Sequence, residues 1–359
     1  MARICAHLIV LAGLLVASQA MANTIRIAVV APTSGPLAIL GQQVMAGASF
    51  DADTRGIEIV PLAESCETEG GADLGPALAS ADVVAAIGFL CTESLTVALP
   101  VLADRQIPAI TLSVRSGILM EDVLKNKWPL LQLAPAAKAE ADKAIQVVSQ
   151  RWAGETVALV DDGTLHGREL VDAVRAAMEE TGFRPAFVDT YRPGQDQQLA
   201  LVRRLKKAGA DHIVVGGDRS DIAIIARDAA AEKIKLTLLG GEALLAADQS
   251  VPLPDGILAI GMPDEAQSGT GKAVADKMAQ SGIVAEGYVL PAYAAVDLVR
   301  AAAAASANDS PSLMASLLRG PFETAMGPIQ FTERQALVQN PYRLLEWRAG
   351  RFREADATQ

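Results

Sequence analysis

Histidine, cysteine and the aromatics are all scarce here: three histidines, three cysteines, three tryptophans, four tyrosines and seven phenylalanines in 359 residues. With aromatics at 4%, a broad ring-stacking surface for sugars is excluded. Basic residues are also in deficit, 31 against 42 acidic, a formal net charge of -11. That balance argues against nucleic acid or an anionic membrane surface as a partner. Beyond the N-terminus no apolar run reads as membrane-spanning, because the alanine-rich stretch at 300–305 follows Asp297 and Arg300. A span needs about 20 apolar residues.

Enzymatic signatures are missing as well. There is no Gly-x-Ser-x-Gly elbow, and neither His166 nor His212 has an evident nucleophile beside it. A hydrolase is therefore the unsupported alternative, and no catalytic residue is expected. The stretch SGTGKA around Gly271-Lys272 hints at a phosphate loop, but the required spacing puts Ala266 where glycine must stand. It reads as a turn before a helix.

The N-terminus is more informative. Arg3, an apolar run from Leu8 to Val16 and a small-x-small ending at Ala20-Met21-Ala22 form a secretory signal peptide, residues 1–22. Cleavage after Ala22 leaves Asn23 first; cleavage after Ala20 is the alternative. No cysteine follows either cut, so a lipid anchor is not expected, and the exported chain is soluble and periplasmic. Losing Arg3 leaves 30 basic residues against 42 acidic, a net charge of about -12. The remaining length of about 337 residues suits two lobes.

Export also bears on the cysteines. Cys5 leaves with the signal, so only Cys66 and Cys91 remain. In an oxidising compartment two such residues pair, closing a loop worth roughly 3.5 kcal/mol in the chain-entropy treatment. The alternative is a pair of free buried thiols. Two cysteines and two histidines without tight spacing make a poor zinc signature, so no metal site and no cofactor is expected.

The rest of the chain alternates strand and helix. TIRIAVVAP, IEIVPLA, DVVAAIGFL and IPAITLS read as strands, with helices after the first, near 72–80 and at 92–104. After WPLLQLAP the rhythm restarts: helix 137–152, strand TVALVDD, helix 165–181, strand AFVDTYRPG, helix 196–208, strand HIVVGG, helix 219–231 and strand KLTLLGG. A tail of strand, helices and two short strands near 327–331 and 342–348 follows. Near-continuous apolar strands separated by helices indicate parallel sheets covered on both faces. The fold class is thus α/β, two Rossmann-like lobes.

In such sheets ligands sit outside the carboxyl ends of the strands. The polar residues there are Thr33-Ser34, Cys91-Thr92-Glu93-Ser94, Ser113-Val114-Arg115-Ser116, Asp161-Asp162-Gly163, Asp218-Arg219 and Glu242. Thr92 opens a helix whose backbone N–H groups suit an anion, or else it simply caps that helix.

In order along the chain, SGPLAILGQQVMAGA, the cysteine at 66, AAIGFLCTES, RQIPAITLS, VALVDDGTLHGREL, VVGGDRSD, LLGGEAL, GPIQF and YRLLEWRAGRF resemble the periplasmic leucine/isoleucine/valine-binding proteins of ABC importers. The resemblance covers the whole exported chain. It implies a type I periplasmic binding protein: two lobes closing on a ligand like a flytrap, joined by three crossings near Pro135, Met262-Pro263 and Gly327-Pro328. The expected division is 23–134 plus 264–327 for the first lobe and 135–263 plus 328–359 for the second. The family's pattern also includes the Cys66–Cys91 bond.

Carried over by position, the resemblance implies that Thr92 holds a ligand α-carboxylate, that the Ser113 backbone contacts it, and that Glu242 pairs with an α-ammonium group. Four positions depart from the family. Arg115 replaces a second hydroxyl, Leu40 replaces an aromatic before the first-helix glycine, and His166 and Asp218 replace second-lobe tyrosines. The cleft becomes more charged and less aromatic. Arg115 could take a carboxylate in a bidentate pair or bind Glu93 or Glu121 on the rim. Asp218 and Asp161 are ligand groups or strand-end caps, and His166 is a ligand donor or simply solvated. The implied function is a non-enzymatic receptor that binds a small amino acid or related carboxylate and delivers it to an ABC permease. The alternative of another class is a periplasmic sensor subunit using the same cleft.

Overall fold

A computed structural model describes residues 24–66, 73–247, 250–267, 269–309 and 312–355. The expected signal peptide and its cleavage site lie outside these residues. In the first lobe, β1 (Ile25–Pro32), β2 (Ile57–Glu64), β3 (Ala85–Gly88), β4 (Ala109–Thr111) and β5 (Leu130–Gln132) form a parallel sheet in the order β2-β1-β3-β4-β5. The helices α1 (Ala38–Ser49), α2 (Leu74–Ser80), α3 (Thr92–Asp104) and α4 (Gly117–Asn126) connect them. Both faces are covered, which is why Ile27 to Val30 and Ala85 to Ile87 are fully buried without alternation. Pro61 is tolerated because β2 is an edge strand. Strand order reverses between β1 and β3, a switch point that opens a crevice at their carboxyl ends.

The second lobe begins with α5 (Ala139–Arg151), then β6 (Val157–Asp161), α6 (Leu165–Glu180), β7 (Phe187–Thr190), α7 (Leu199–Ala208), β8 (His212–Gly216), α8 (Arg219–Ala231), β9 (Thr237–Gly240) and β10 (Leu258–Gly261). From there the chain returns to the first lobe. α9 (Gly269–Gln280), α10 (Val289–Asp309), α11 (Leu313–Leu317) and the hairpin β11 (Phe322–Thr324) with β12 (Gly327–Ile329) precede β13 (Arg343–Arg348) and β14 (Arg351–Glu354). These last two strands extend the second sheet to β14-β13-β10-β9-β8-β6-β7, with β13 antiparallel to both of its neighbours, β10 and β14. The sheet is therefore mixed rather than purely parallel.

Residues Val289–Ser306 of α10 are apolar enough to cross a membrane by length and composition. Yet Ala292, Val296, Val299 and Ala302 are fully buried in the core that holds Ile27, Val29, Ile87 and Ile110. α1 presses closely on this helix: a methyl group on Gly47 would lie 1.9 Å from the Val289 carbonyl. Ile329 and Phe331 also belong to the first core, while Tyr342 and Leu344 belong to the second. Gly327-Pro328, expected at a crossing, sit in the β11–β12 hairpin on the first core. Among the described residues three elements have no counterpart in the sequence reading: α4, β11 and β14. The apolar run of 82–90 shortens to Ala85–Gly88 because the chain turns sharply beyond it.

Candidate functional site

That turn builds the first-lobe edge. Gly88 and Phe89 take φ of 111° and 53°, the second a left-handed conformation unusual for a bulky side chain. It is held by the Phe89 N–H to the Val30 carbonyl (3.0 Å) and by the Thr111 hydroxyl donating to the Phe89 carbonyl (2.9 Å). The turn aims the N–H groups of Leu90 and Cys91 at Glu64, at 2.8 and 3.0 Å, and the Ser94 hydroxyl donates to the same carboxylate. Glu64 is 5% exposed. Burial pushes its carboxyl above the ordinary range, against the pull of the Ser94 and backbone hydrogen bonds. Two residues further on, Cys66 is disulfide-bonded to Cys91. The exit of β2 is thus fastened twice to the start of α3.

Thr92 begins α3 and is half-buried; the N-cap is Cys91, and no side chain caps the helix. Ser113 follows β4, also half-buried. The next residues are fixed from two sides: the Val114 N–H donates to the Thr111 hydroxyl (3.1 Å) and its carbonyl accepts from Gln132 Nε2 (2.9 Å). Ser116 then caps α4 by accepting from the Leu119 N–H. Arg115 projects from this pinned segment.

Its partners come from the second lobe. Arg115 Nη1 lies 2.8 Å from Glu242 Oε1 and 2.9 Å from the Tyr342 hydroxyl, and that hydroxyl donates to Glu242 Oε2 at 2.5 Å. Neither Glu93 nor Glu121 is its partner. The Glu242 N–H donates to Glu140 Oε1 (2.7 Å), and Glu140 Oε2 is 3.7 Å from His166 Nε2. Gly241 permits this approach, since a methyl group there would sit 2.2 Å from Glu140 Oε1. Burial, then the bond to Glu242, raise the Tyr342 phenol well above its usual value. Burial likewise raises the Glu140 carboxyl. Beside the cluster opens a cavity of about 940 Å3, walled by Arg115, Lys138, Glu140, His166, Glu242 and Tyr342 and continuing along α5 and α6.

Arg115, His166 and Glu242 are therefore gathered at one cavity, which Thr92, Ser113, Leu40 and Asp218 do not line. Leu40 is half-buried on α1. Asp218 caps α8, accepting from the Asp221 N–H at 3.0 Å, and Asp161 accepts from the Gly163 N–H and the Thr190 hydroxyl. His212 lies at the opposite, amino-terminal end of β8, 2.9 Å from Asp211 and edge-on to Trp152. Lys272, of the phosphate-loop look-alike, pairs with Asp276 one turn along α9.

The sequence family described as periplasmic binding protein matches residues 24–351. The chain belongs to that family. Among similar relatives of this periplasmic binding protein, the Leu/Ile/Val-binding protein BraC3 of Rhizobium johnstonii is 28% identical, over 96% of this chain and 99% of its own. The Leu/Ile/Val-binding protein of Escherichia coli is 24% identical, over 92% of this chain and 93% of its own. An ABC transporter substrate-binding protein of Desulfitobacterium hafniense, solved in complex with Leu, superposes with a TM-score of 0.67 at 17% identity, covering 92% of this chain and 99% of that one. The two lobes, the sheets and the disulfide match the type I architecture that the sequence led us to expect. Three polar residues of this binding protein escaped sequence reasoning: Glu64, Glu140 and Tyr342. Tyr342 had the clearest signal, as the first residue of YRLLEWRAGRF.

Proposed function

We propose that this chain is the solute-binding receptor of an ABC importer, taking a small carboxylated solute between its lobes and presenting it to a permease after export through the N-terminal signal. The reading is carried by one observation: Arg115 of the first lobe meets Glu242 and Tyr342 of the second at the mouth of a solute-sized cavity. A guanidinium held at the mouth of such a cavity is what a carboxylated ligand can exploit. Thr92 and the Ser113 backbone form the carboxylate-binding edge in this reading, with the uncapped start of α3 behind Thr92. Closure is a hinge motion about residues 134–138, 262–264 and 339–341. The third of these lies later than Gly327-Pro328, because Ile329, Phe331 and Leu337 pack with the first core and the Val338 N–H donates to the Gln330 carbonyl.

A thermal-shift screen of small carboxylates, amino acids and neutral amides tests this. A true ligand at 100-fold its dissociation constant stabilises by about 2.7 kcal/mol. At least one carboxylated solute should do so, and Thr92→Val should weaken it. If only solutes without a carboxylate raise the melting point, the reading is wrong.

A further inference from the structure

We infer that Arg115 is the protein's own occupant of the cation position facing Glu242, so that the cleft selects carboxylates lacking a free ammonium group over amino acids. This rests on the receptor reading above and names its substrate class. Each Glu242 oxygen already has a partner: Oε1 takes Arg115 Nη1 at 2.8 Å and Oε2 takes the Tyr342 hydroxyl at 2.5 Å. The bond is one a ligand ammonium would otherwise make, with its charge supplied from the facing lobe. An arriving ammonium has to expel the guanidinium or sit against it, and like charges in a partly desolvated site repel.

The arginine is poorly placed to yield. The backbone on either side of it is fixed, Val114 by Thr111 of β4 and Gln132 of β5, and Ser116 as the cap of α4. Expelling it also strips Nη1 from the Tyr342 hydroxyl, on a residue 1% exposed. The neighbouring Glu140 is no substitute, since it is 8% exposed, accepts from the Glu242 N–H and turns its other oxygen to His166. Arg115 makes both contacts through Nη1. Its Nε and Nη2 donors form the fork that takes a carboxylate side-on. One residue thus blocks the ammonium and receives the acid.

The test compares each amino acid with the acid in which hydrogen replaces its amino group: leucine with 4-methylpentanoate, phenylalanine with 3-phenylpropanoate, alanine with propanoate, glutamate with pentanedioate. Calorimetric titration of the wild-type chain should find at least one acid that binds and its amino acid about tenfold weaker or worse. Arg115→Ser should reverse that order, and Arg115→Lys, which keeps the charge, should not. Circular dichroism checks that the variants fold. An amino acid that binds the wild-type chain as tightly as its deaminated partner overturns the inference. Small-angle scattering without any solute reads the arginine's hold directly: Arg115→Ser should enlarge the radius of gyration, and an unchanged radius overturns the inference even if the receptor reading stands. If no member of any pair binds either protein, the carboxylate-receptor reading fails and the inference falls with it.

Discussion

The Tyr342 hydroxyl lies 2.5 Å from Glu242 and 2.9 Å from Arg115, so one buried phenol serves as donor to an anion and acceptor from a cation across the two lobes. Tyr342→Phe removes both bonds and leaves Glu242 Oε2 without its donor. Losing a buried partner of this kind costs about 1–3 kcal/mol. Urea unfolding should show that loss as a lower midpoint with an unchanged slope; an unaltered midpoint would mean that the phenol contributes nothing to holding the cluster.

Gly241 and Glu140 make a second test. Alanine at 241 puts a methyl group 2.2 Å from Glu140 Oε1 and 3.0 Å from Leu170 Cδ2. Overpacking of this order costs typically 1–3 kcal/mol, here by pushing Glu140 off the Glu242 N–H. Because the tighter of these two contacts is with Glu140, Gly241→Ala combined with Glu140→Ala should cost less than the two changes summed, by roughly 0.5–3 kcal/mol. Strict additivity in denaturant titrations would locate the strain elsewhere.

Acidity supplies a third. Burial raises the Glu140 carboxyl in the folded chain above its unfolded value. Between those two values the folded state holds the proton more often than the unfolded state, so this group's contribution to stability falls as pH rises through that window. Glu140→Gln, which cannot ionise, should escape that fall. Its melting temperature relative to the parent should therefore improve as pH rises above the ordinary glutamate range. A difference that stays constant across the range would show that Glu140 does not titrate differently on folding.

The disulfide gives the fourth. Cys66 and Cys91 are the only cysteines after Cys5 and they are bonded to each other. Protein lacking residues 1–22, denatured and unreduced, should show no free thiol. Reduction should release two and lower stability by about 3.5 kcal/mol, the chain-entropy value for a loop of this length. Thiol titration with a chemical melt before and after reductant reads both outcomes.

By itself the sequence determined what depends on neighbours along the chain. Apolar β-branched runs such as Ile25–Pro32 and Val157–Asp161 could only be buried strands between helices, and those strands lie parallel in the two sheets. The cysteine count and the export signal pointed to the pairing of Cys66 with Cys91. Local signals were weaker where an element leans on distant support. α4 starts from the Ser116 cap, and β14 exists only as the partner of β13, itself laid on β10.

Tertiary structure alone decided which charges meet. Arg115 bonds to Glu242 across 127 residues of sequence and to Tyr342 across 227. No periodicity encodes such a contact, because it depends on how two separately packed cores face one another. From the sequence, Glu93 and Glu121 were equally good partners for Arg115, being charged and near in the chain. The fold chose Glu242 because the Thr111 and Gln132 bonds aim Arg115 out of one lobe, while Gly241 and Glu140 set Glu242 at the facing edge of the other.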